Sequence, residues 1–515
     1  MTTRTTAPSR PLPGLAALAA LATGTGPALE VTSPSDGRPL GVVRQADERE
    51  VEAAVRAARG AQKGWAARPP RERAAVAHRF ARLVLDRRDQ ILDLVQAETG
   101  KARVAALEEV LDASRTAAYY GHSAPGLLRA RARIGALPFV TKTTELRHPK
   151  GVVGVITPWN YPFTLPASDT VPALLAGNAV VIKPDEKTPF SALLTLQLLR
   201  EAGLPEGVAQ VVVGPREVTG PAVVDAVDFV MFTGSTATGR KVAARCGERL
   251  VGFSAELGGK NPLIVLEDAD VPAAAAGAAR TCFANAGQLC IGPERIYIHE
   301  AVRERFTDLF LHEVSRLQVG PGSSWETQVG SLASPAQLAK VRSHVDDAVA
   351  KGARILAGGA PRPELGPNFF APTVLADVPE TAVLCREETF GPVVALYPVA
   401  SEEEAFARAN DTGYGLNASL WTAPSRGREL GARIEAGSVN VNEGYAAAWG
   451  SHAAGMGGWK ESGMGRRHGP EGLLKYTESQ TVAVQRLPIA PSGRMSAERF
   501  ADLVTAGVRI MNRFL

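Results

Sequence analysis

Apolar and polar positions change their spacing along the chain, and each spacing predicts a different kind of element. In the first 120 residues, stretches rich in Ala and charged side chains repeat at helical intervals, which predicts surface helices. These helices are expected at 48–67, 72–100 and 102–120. Further along, short unbroken apolar runs of the kind found in strands buried on both faces alternate with helical segments. The runs lie at 151–157, 179–183, 210–213 and 229–232, and the helical segments at 189–202 and 236–246.

A second block of the same kind follows the double glycine Gly258-Gly259. Its predicted strands lie at 262–266, 295–298 and 393–397, and its predicted helices at 272–283, 302–317 and 402–410. Strands that alternate with helices at this spacing predict parallel sheets covered on both faces. The predicted fold class is therefore α/β, with two doubly wound domains.

The two ends of the chain have a different texture. Residues 12–22 are rich in Ala and Leu and follow two arginines, which faintly resembles a signal peptide. A flexible tail over 1–29 with a short surface helix is the interpretation we favour. Residues 491–515 predict an amphipathic helix that packs on the protein body or a neighbouring subunit, with a membrane surface as the alternative. Its apolar positions are Phe500, Leu503, Val504, Val508, Met511, Phe514 and Leu515.

Composition narrows the class of protein. The chain has 515 residues, of which 45% are hydrophobic and 21% charged, and its net charge is only +4. This balance is typical of a folded globular protein and argues against nucleic acid or an anionic membrane as the main partner. Four cysteines without zinc-site spacing predict free thiols, no metal site and a reducing compartment, the cytoplasm. No apolar run has the length of a membrane span.

One glycine-rich turn, Phe232-Thr-Gly-Ser-Thr-Ala-Thr-Gly239, follows a predicted strand and opens a helix. A helix start of this kind presents free backbone N–H groups to an anion such as a phosphate. Gly234 lets a phosphate approach the backbone, and Ser235 can both cap the helix and bind phosphate. A capped turn without a ligand explains the same residues equally well.

Cys290 differs from the other cysteines because it lies in a loop rich in Gly, where functional side chains concentrate. Cys246, Cys282 and Cys385 fall in contexts that indicate structural roles. A thiolate nucleophile needs a base, and none of the eight histidines has a suggestive partner, which argues against a Cys–His hydrolase. Glu256, at a predicted strand end before the double glycine, can activate water if partial burial raises its pKa.

A third candidate follows the first strand of the predicted sheet, in Pro158-Trp-Asn-Tyr-Pro162. Ligand sites gather at the carboxyl ends of parallel strands. The two prolines stiffen this loop, and the amide of Asn160 between them is a good donor to an oxyanion. A structural turn is the alternative for this loop taken alone.

Taken together, these segments resemble the aldehyde dehydrogenase superfamily over nearly all of residues 30–485. The matching motifs, in the family's order, are Pro158-Trp-Asn-Tyr-Pro162, Lys183-Pro184, Phe232-Thr-Gly-Ser-Thr236, Glu256-Leu-Gly-Gly-Lys-Asn-Pro262, Gly287-Gln-Leu-Cys290, Glu388-Thr-Phe-Gly-Pro392 and Lys460-Glu-Ser-Gly-Met-Gly-Arg466. So many motifs in one order leave little room for coincidence. Within the superfamily, the chain is most similar to actinobacterial-type succinate-semialdehyde dehydrogenases.

The resemblance implies a role for each motif. Cys290 would be the nucleophile that forms a thiohemiacetal and then a thioester, Asn160 and the Cys290 backbone N–H would hold the oxyanion, and Glu256 would activate the water that releases the acid. It also implies an NAD or NADP cofactor and no metal. The expected cofactor-binding residues are Thr157, Trp159, Lys183, Glu186, Gly214, Gly234, Ser235, Leu257, Glu388 and Phe390. The expected substrate pocket contains Trp159, Tyr161, Met456 and Trp459.

The same resemblance implies a domain organisation. A Rossmann-like cofactor domain would comprise 30–130 and 150–258, and a catalytic domain would comprise 259–455. A small β arm used for oligomerisation would comprise 131–149 and 476–490. We therefore expect a homodimer or a homotetramer.

Two positions depart from the better understood succinate-semialdehyde enzymes, which hold the substrate carboxylate with two arginines. Those positions are Ala284 and Ser168 in this chain. A buried carboxylate without a cation is strongly disfavoured. The expected reaction is the oxidation of succinate semialdehyde to succinate, with another aliphatic or aromatic aldehyde as the alternative substrate. The candidate replacement cations are Lys460, Arg466 and Arg467.

Other positions bear on the cofactor and on competing functions. Glu186 could chelate both hydroxyls of the adenosine ribose and repel a 2′-phosphate, which favours NAD, whereas Lys187 could offset that charge and tolerate NADP. Many members of the superfamily carry a Glu, thought to pass protons, where this chain has Arg467. A CoA-acylating dehydrogenase generally lacks the base, and a non-enzymatic scaffold tends to lose the thiol. The presence of Glu256 and Cys290 therefore argues against both classes.

Overall fold

The computed structural model describes residues 12, 14–136, 140–487, 493 and 495–513. These residues form two compact units. The larger unit comprises the described residues up to Leu127 together with Pro149–Thr477, and the smaller comprises those within Leu128–His148 and from Glu478 onwards. The expected positions Phe514 and Leu515, and the first eleven residues of the expected tail, lie outside the described residues.

Helices occur in both units, with the last one in the smaller unit. The α-helices are α1 Leu15–Ala19, α2 Glu48–Ala66, α3 Pro70–Asp86, α4 Arg88–Thr99, α5 Arg103–Leu127, α6 Thr164–Leu175, α7 Pro189–Glu201, α8 Arg216–Ala226, α9 Thr236–Arg249, α10 Val271–Cys282, α11 Arg303–Ser315, α12 Pro335–Ala350, α13 Val383–Arg386, α14 Glu402–Asn410, α15 Gly427–Gly431, α16 Ala446–Trp449, α17 Gly469–Leu474 and α18 Ala497–Met511.

In the described part of the chain, the strands form two large sheets and three small ones. The strands are β1 Ala22–Thr23, β2 Ala28–Thr32, β3 Pro39–Arg44, β4 Arg131–Arg133, β5 Thr141–Pro149, β6 Val152–Ile156, β7 Ala179–Lys183, β8 Ala209–Val212, β9 Phe229–Thr233, β10 Gly252–Glu256, β11 Asn261–Val265, β12 Pro293–His299, β13 Arg354–Ala357, β14 Thr373–Ala376, β15 Val393–Val399, β16 Tyr414–Gly415, β17 Asn417–Trp421, β18 Ser438–Val441, β19 Trp459–Lys460, β20 Gly463–Met464 and β21 Thr477–Gln485.

The first large sheet has the strand order β1-β8-β7-β6-β9-β10-β20, and all neighbours run parallel except β20. β6, β7 and β9 are buried along their whole length, as mainly apolar strands covered on both faces are. The strand order reverses between β6 and β9, because the chain passes through β7 and β8 on one side before it returns to β9 on the other. Ligand sites of open α/β sheets lie at such a reversal, beyond the carboxyl ends of the strands.

The second large sheet has the order β13-β14-β15-β12-β11-β17-β18 and is parallel except at β13. Its core contains side chains from α10, α11, α12 and α14. Phe306 and Phe310 of α11 stack with ring centroids 5.6 Å apart inside this core. Two sheets of mostly parallel strands, each with its own helices, confirm the predicted α/β class.

Two predicted helices differ from the structure in extent. The stretch 72–100 is two helices, because the backbone at Arg87 (φ −99°, ψ 18°) leaves helical geometry between α3 and α4. Gly100 ends α4 in a left-handed conformation, as its position predicted. The helix predicted over 102–120 continues to Leu127 and contains Pro125.

The smaller unit contains a three-stranded sheet in the order β21-β5-β4 and the helix α18. No described side chain of α18 is buried, and its apolar residues Leu503, Val508 and Ile510 are exposed. Among the described residues, no helix combines the length and the apolar content that a membrane crossing requires.

Candidate active site

A cavity of about 240 Å³ opens at the reversal of the first sheet. The segments that follow β6, β9 and β10 form part of its wall. The cavity brings together the predicted site residues Trp159, Asn160, Tyr161, Gly234, Ser235, Glu256, Leu257, Cys290, Glu388, Phe390 and Met456. It does not include Thr157, Lys183, Glu186, Gly214 or Trp459.

Cys290 is partly exposed, whereas the other three cysteines, all free thiols, are buried. The turn before it is left-handed at three successive residues, with φ 49° at Asn285, 53° at Ala286 and 70° at Gly287. A Cβ atom at Gly287 would lie 1.9 Å from the carbonyl oxygen of Gly391, so only glycine fits there. This tight turn fixes the backbone that presents Cys290 to the cavity.

Burial, and then the nearby carboxyls of Glu388 and Glu256, raise the pKa of the Cys290 thiol to about 12. The thiol is therefore protonated at neutral pH. Because the thiolate is the nucleophile, a base must take the proton as the sulfur attacks.

The Asn160 side chain is fixed from the cysteine loop. Its Nδ2 donates to the carbonyl oxygen of Gln288 at 3.1 Å, and its buried Oδ1 has no hydrogen-bond partner among the described residues. An amide nitrogen carries two hydrogens, so Nδ2 can also donate to an oxyanion formed beside Cys290.

A buried ion pair holds the loop that carries Asn160. Lys101 Nζ lies 2.6 Å from Glu109 Oε1 and donates to the backbone oxygen of Asn160 at 2.6 Å. Glu109 Oε2 accepts from the backbone N–H groups of Phe163, at 2.8 Å, and Thr164, at 3.1 Å, where α6 begins. The pair therefore joins α5, the Asn160 loop and α6, and burial lowers the pKa of Lys101.

Glu256 ends β10, directly across from Thr233 of β9 in the parallel ladder. The residue is 3% exposed, and neither carboxylate oxygen has a hydrogen-bond partner among the described residues. Arg467 donates to Thr233 Oγ1 at 3.0 Å and forms a two-bond ion pair with Asp169, at 3.1 and 2.6 Å. Burial raises the pKa of Glu256 to about 7, against the opposing effect of Arg467. A carboxyl with this pKa is well suited to act as a base near neutral pH.

The glycine-rich turn has features that fit a dinucleotide. Ser235 caps α9 by accepting a hydrogen bond from the backbone N–H of Thr238 at 3.3 Å. A Cβ at Gly234 would lie 2.6 Å from Phe232 Cζ, so any larger residue there would displace the Phe232 ring. Thr157 Oγ1 is buried without a hydrogen-bond partner in the described part of the chain. A phosphate at the start of α9 would find free N–H groups and a hydroxyl.

Three predicted cofactor residues lie beside the cavity, at the carboxyl ends of the neighbouring strands. Lys183 is the last residue of β7, and its pKa is lowered by burial. Glu186 Oε1 accepts the backbone N–H of Arg216 at 2.6 Å. Gly214 follows β8, and a Cβ there would lie 2.7 Å from the carbonyl oxygen of Ala46. A nucleoside that extends from the cavity would reach this edge of the sheet.

Glu388 and Phe390 form the opposite wall of the cavity. Glu388 Oε1 accepts the backbone N–H of Gly259 at 2.9 Å, and burial, with a contribution from Glu294, raises the pKa of Glu388 to about 7. Phe390 adopts a left-handed φ of 56°. Its ring meets that of Trp159 edge to face, with centroids 5.5 Å apart.

Another part of the wall is apolar. Its side chains, from Tyr161, Leu165, Leu289, Ile291, Trp449 and Met456, belong to one hydrophobic cluster. The Tyr161 hydroxyl donates to Glu108 Oε2 at 2.9 Å. Trp459 differs from the expectation, because it is 45% exposed and its strand β19 pairs with β16.

The two positions that lack the expected arginines have other surroundings. Ala284 packs against the hydrophobic cluster. Ser168 is buried in α6 and donates to Asp112 Oδ2 at 2.9 Å, while Asp112 Oδ1 lies 3.0 Å from His452 Nε2. The Ser168 hydroxyl thus has a hydrogen-bond partner within the protein, and it supplies no positive charge for a substrate carboxylate.

Of the three candidate replacement cations, Arg467 lines the cavity among the described residues. Lys460 donates to the backbone oxygen of Asn410 at 2.8 Å and pairs with Glu435 at 2.6 Å. Arg466 donates to the backbone oxygen of Gly465 at 2.6 Å. Neither of these two is part of the described cavity wall.

Sequence reasoning missed three residues that shape this site. Lys101 and Glu109 position Asn160, and Asp169 holds Arg467. Asp169 carried a signal, because it is the one charged residue within 163–176, an otherwise uncharged and largely apolar stretch. A lone charge in such a segment is usually buried and paired.

Comparisons with known proteins agree on one family. The family model described as "Aldehyde dehydrogenase family" matches residues 22–482. A protein of Mycolicibacterium smegmatis named "Putative succinate-semialdehyde dehydrogenase", with NADP(+) printed as its cofactor, is 52% identical over 93% of each chain.

Solved structures share the fold. The crystal structure of succinate-semialdehyde dehydrogenase from Burkholderia pseudomallei superimposes with a TM-score of 0.85 at 35% identity, covering 89% of this chain and 95% of that chain. The structure of P. syringae indole-3-acetaldehyde dehydrogenase, a mutant in complex with NAD+ and IAA, gives a TM-score of 0.86 at 33% identity, covering 90% of this chain and 94% of that chain.

Proposed function

The chain belongs to the aldehyde dehydrogenase family. On that premise we propose that Cys290, Asn160 and Glu256 catalyse the oxidation of an aldehyde to a carboxylic acid by a nicotinamide cofactor. The observation that carries the proposal is the meeting of these three side chains in one cavity, although they come from three separate segments of the chain. Succinate semialdehyde is the proposed substrate, since the relatives' names support it.

Each side chain has a distinct task. Cys290 Sγ attacks the carbonyl carbon and gives up its proton, and Glu256, which faces the same cavity, is the group placed to accept it. Asn160 Nδ2 donates to the oxygen as it becomes negative. After oxidation the acid is held as a thioester on Cys290, and Glu256 removes a proton from the water that releases it. When bound, the nicotinamide cofactor supplies the hydride acceptor.

We propose that NADP+ serves as cofactor, and the relative's printed name supports this choice over the NAD that Glu186 alone favours. Two further observations support it. Glu186 is engaged by the backbone of Arg216 at 2.6 Å, and Lys187 lies beside it. A 2′-phosphate at this edge would meet Lys187 and Arg216, which pair with Asp185 at 3.2 Å and with Glu217 at 2.7 Å and would turn to the phosphate instead.

A second substrate class is favoured by the apolar wall. The side of the cavity lined by Tyr161, Trp449 and Met456 is apolar, and the two cations in the described cavity wall already have partners: Arg467 pairs with Asp169 at 2.6 Å, and Lys340 donates to the backbone oxygen of Glu388 at 2.8 Å. An uncharged aliphatic or aromatic aldehyde would bury its chain there without leaving a carboxylate unpaired. Comparing kcat/KM for succinate semialdehyde and for an uncharged aldehyde of equal length decides between the two classes.

We further propose a homo-oligomer in the cytoplasm, with the sheet of β4, β5 and β21 as the subunit contact. Free thiols at all four cysteines support the reducing compartment. Sedimentation of the purified chain would test the assembly.

The central test replaces the nucleophile. Cys290→Ser is expected to abolish reduction of NADP+ by the aldehyde while the melting temperature stays within a few degrees of the parent's. Cys385→Ser, at a buried thiol outside the cavity, is the matched control and should retain turnover. Normal turnover in Cys290→Ser would refute the proposal.

The role of Glu256 is tested by the first release of NADPH after protein and aldehyde are mixed. Glu256→Gln should release at most one NADPH per active site, more slowly than the parent, and then stop, because the thiol loses its proton acceptor and any thioester that forms is not hydrolysed. If adding coenzyme A to Glu256→Gln restored turnover and an acyl-CoA formed, the protein would instead be a CoA-acylating enzyme.

A further inference from the structure

Two cations lie along one face of the β9–β10 ladder, and Glu256 lies at the end of that face. Paired residues of a parallel ladder project to the same side, and so do residues two apart on one strand. Met231 and Ser254 therefore share a face with the next such pair, Thr233 and Glu256. Lys475 Nζ lies on the first pair, 3.2 Å from Met231 Sδ and 3.4 Å from Ser254 Oγ.

The two cations differ in how their charge is balanced. Arg467, which precedes α17, donates to Thr233 Oγ1 at 3.0 Å and forms an ion pair with Asp169, which balances its charge in part while Arg467 still lowers the pKa of Glu256. Lys475, which follows α17, contacts only a thioether and a hydroxyl among its described hydrogen-bond partners. Both are weak, uncharged acceptors, so no described hydrogen bond neutralises Lys475, and its charge acts on the carboxyls of Asp169 and of Glu256.

We propose that Lys475 is a positioning residue that keeps the carboxyl of Glu256 ionised inside the cavity. The proposal rests on the proposed role of Glu256 as the base. A positive charge on the same face of the sheet stabilises a buried carboxylate that has no hydrogen-bond donor among the described residues.

The electrostatic setting is consistent with this task. Burial lowers the pKa of Lys475 to about 8 and raises that of Glu256 to about 7, and the attraction between the two charges opposes both shifts. Lys475 is therefore mostly protonated at pH 7. The other titratable or charged groups that face Glu256 are Asp169, Cys290, Arg466, Arg467 and Tyr476.

The kinetic test follows the dependence of kcat on pH. Lys475→Met removes the charge at similar length, and we expect the acid limb to move upward by about one pH unit, which is about a fivefold loss of kcat at pH 7. Above pH 9 the variant should recover, because Glu256 is then ionised without help. Lys475→Arg should keep the parent profile.

A matched control removes a cation from the same face but further from Glu256. Lys150 Nζ lies 5.6 Å from the ring centroid of Phe229, which belongs to the next pair along the ladder away from Glu256. Lys150→Met should therefore leave the acid limb in place. A shift of equal size in Lys150→Met would overturn the proposal.

An infrared measurement tests the same point without turnover. The C=O stretch of the protonated Glu256 carboxyl is identified by its loss in Glu256→Gln, and its decay with pH reports ionisation directly. In Lys475→Met, or in Lys475→Gln should the Met variant not fold, this band should persist to higher pH. If no aldehyde is oxidised, the proposed function fails while this arm still decides the role of Lys475.

Two outcomes would overturn the inference. One is a folded Lys475→Met protein whose infrared band disappears at the same pH as in the parent. The other is a kcat lowered by the same factor at every pH, which is the signature of a structural role.

Discussion

Burial moves the acid groups of the cavity towards their neutral forms. It raises the pKa of Cys290 to about 12 and those of Glu256 and Glu388 to about 7. Of the two proposed reacting groups, Glu256 is the one that changes charge in the physiological range. Its ionisation therefore controls the proposed chemistry.

The first prediction at this scale concerns rate. With Glu256 as base, kcat should rise between pH 6 and 8 with a midpoint near the raised pKa of about 7, because only the ionised carboxyl accepts a proton. Steady-state rates across this range, with Glu256→Gln as the control, check the expectation. A flat profile in the parent protein would remove Glu256 from the base role.

The second prediction concerns stability. Folding raises the pKa of Glu256 from the unfolded value of about 4.3, so the folded state holds this proton more tightly. The contribution of Glu256 to stability is present below the unfolded pKa and is lost as pH rises through about 7. The free energy of unfolding of Glu256→Gln, taken relative to that of the parent, should thus increase by on the order of 3 kcal/mol between pH 4 and pH 8.

Urea unfolding of both proteins at the two pH values measures this difference. Asp308→Asn, at an exposed carboxyl of α11, is the control and should show little change with pH. An equal difference between Glu256→Gln and the parent at both pH values would contradict the raised pKa.

Local sequence signals identified some residues of the site and not others. Cys290 was identified because it lies in a loop rich in Gly. Glu256 was identified because it lies at a predicted strand end before a double glycine. The pair of Arg467 with Asp169 was not predicted, because the two residues are 298 positions apart and neither segment encodes the other. Long-range pairing of this kind depends on how α6 packs against the first sheet.

At the scale of elements, the Lys101–Glu109 pair fastens the Asn160 loop to two helices. Both side chains are fully buried. Removing one partner leaves a buried charge unpaired, so Lys101→Met should lower the free energy of unfolding by about 3 to 5 kcal/mol and reduce kcat through Asn160.

Denaturant unfolding and steady-state kinetics measure the two effects. Arg56→Met breaks an exposed pair with Glu52 on α2 and should change stability by less than about 1 kcal/mol. If Lys101→Met and Arg56→Met lowered the free energy of unfolding by similar amounts, burial of the Lys101–Glu109 pair would not contribute to stability.

The left-handed turn before Cys290 gives another element-scale prediction. Gly287→Ala places a Cβ 1.9 Å from a backbone oxygen at a φ of 70°. We expect loss of folding yield or of turnover, because the loop must move away to relieve the clash. Gly60→Ala in α2, where nothing lies within 4 Å, should instead stabilise the protein slightly. Normal activity in Gly287→Ala would contradict the role of this turn.

Element boundaries show what local patterns can and cannot specify. Buried strands such as β6 and β9 were predictable because both of their faces are covered, which demands an unbroken apolar run. The break at Arg87 was not, since the chain there has neither Gly nor Pro and the interruption arises from packing.

For the whole molecule, the alternation of strands and helices predicted two parallel-rich sheets correctly. The order of strands within each sheet was beyond local reasoning. β20 joins β10 from about 200 residues further along the chain, and this antiparallel pair brings the segment with Arg467 next to Glu256. Topology of this kind is decided by the global packing of the chain.

Ligand binding should act on the stability of the whole molecule. A cofactor that binds only the folded chain adds about 2.7 kcal/mol at a concentration one hundred times its Kd. Thermal unfolding with NADP+ and with NAD+ at equal concentration should show the larger rise with NADP+. Lys183→Ala should reduce this rise in melting temperature, whereas Lys351→Ala at the end of α12 should not. A greater rise with NAD+ than with NADP+ would reverse the proposed preference.

The high pKa of Cys290 also bears on how the protein withstands oxidants. Peroxide attacks thiolates, and a thiol held in its protonated form reacts slowly even when solvent can reach it. The resting protein should therefore survive oxidative stress that damages more acidic cysteines. During turnover the proton leaves only as the sulfur bonds to the carbonyl carbon, and a sulfur held as a thiohemiacetal or thioester is no longer a thiolate, so bound substrate should add to this protection.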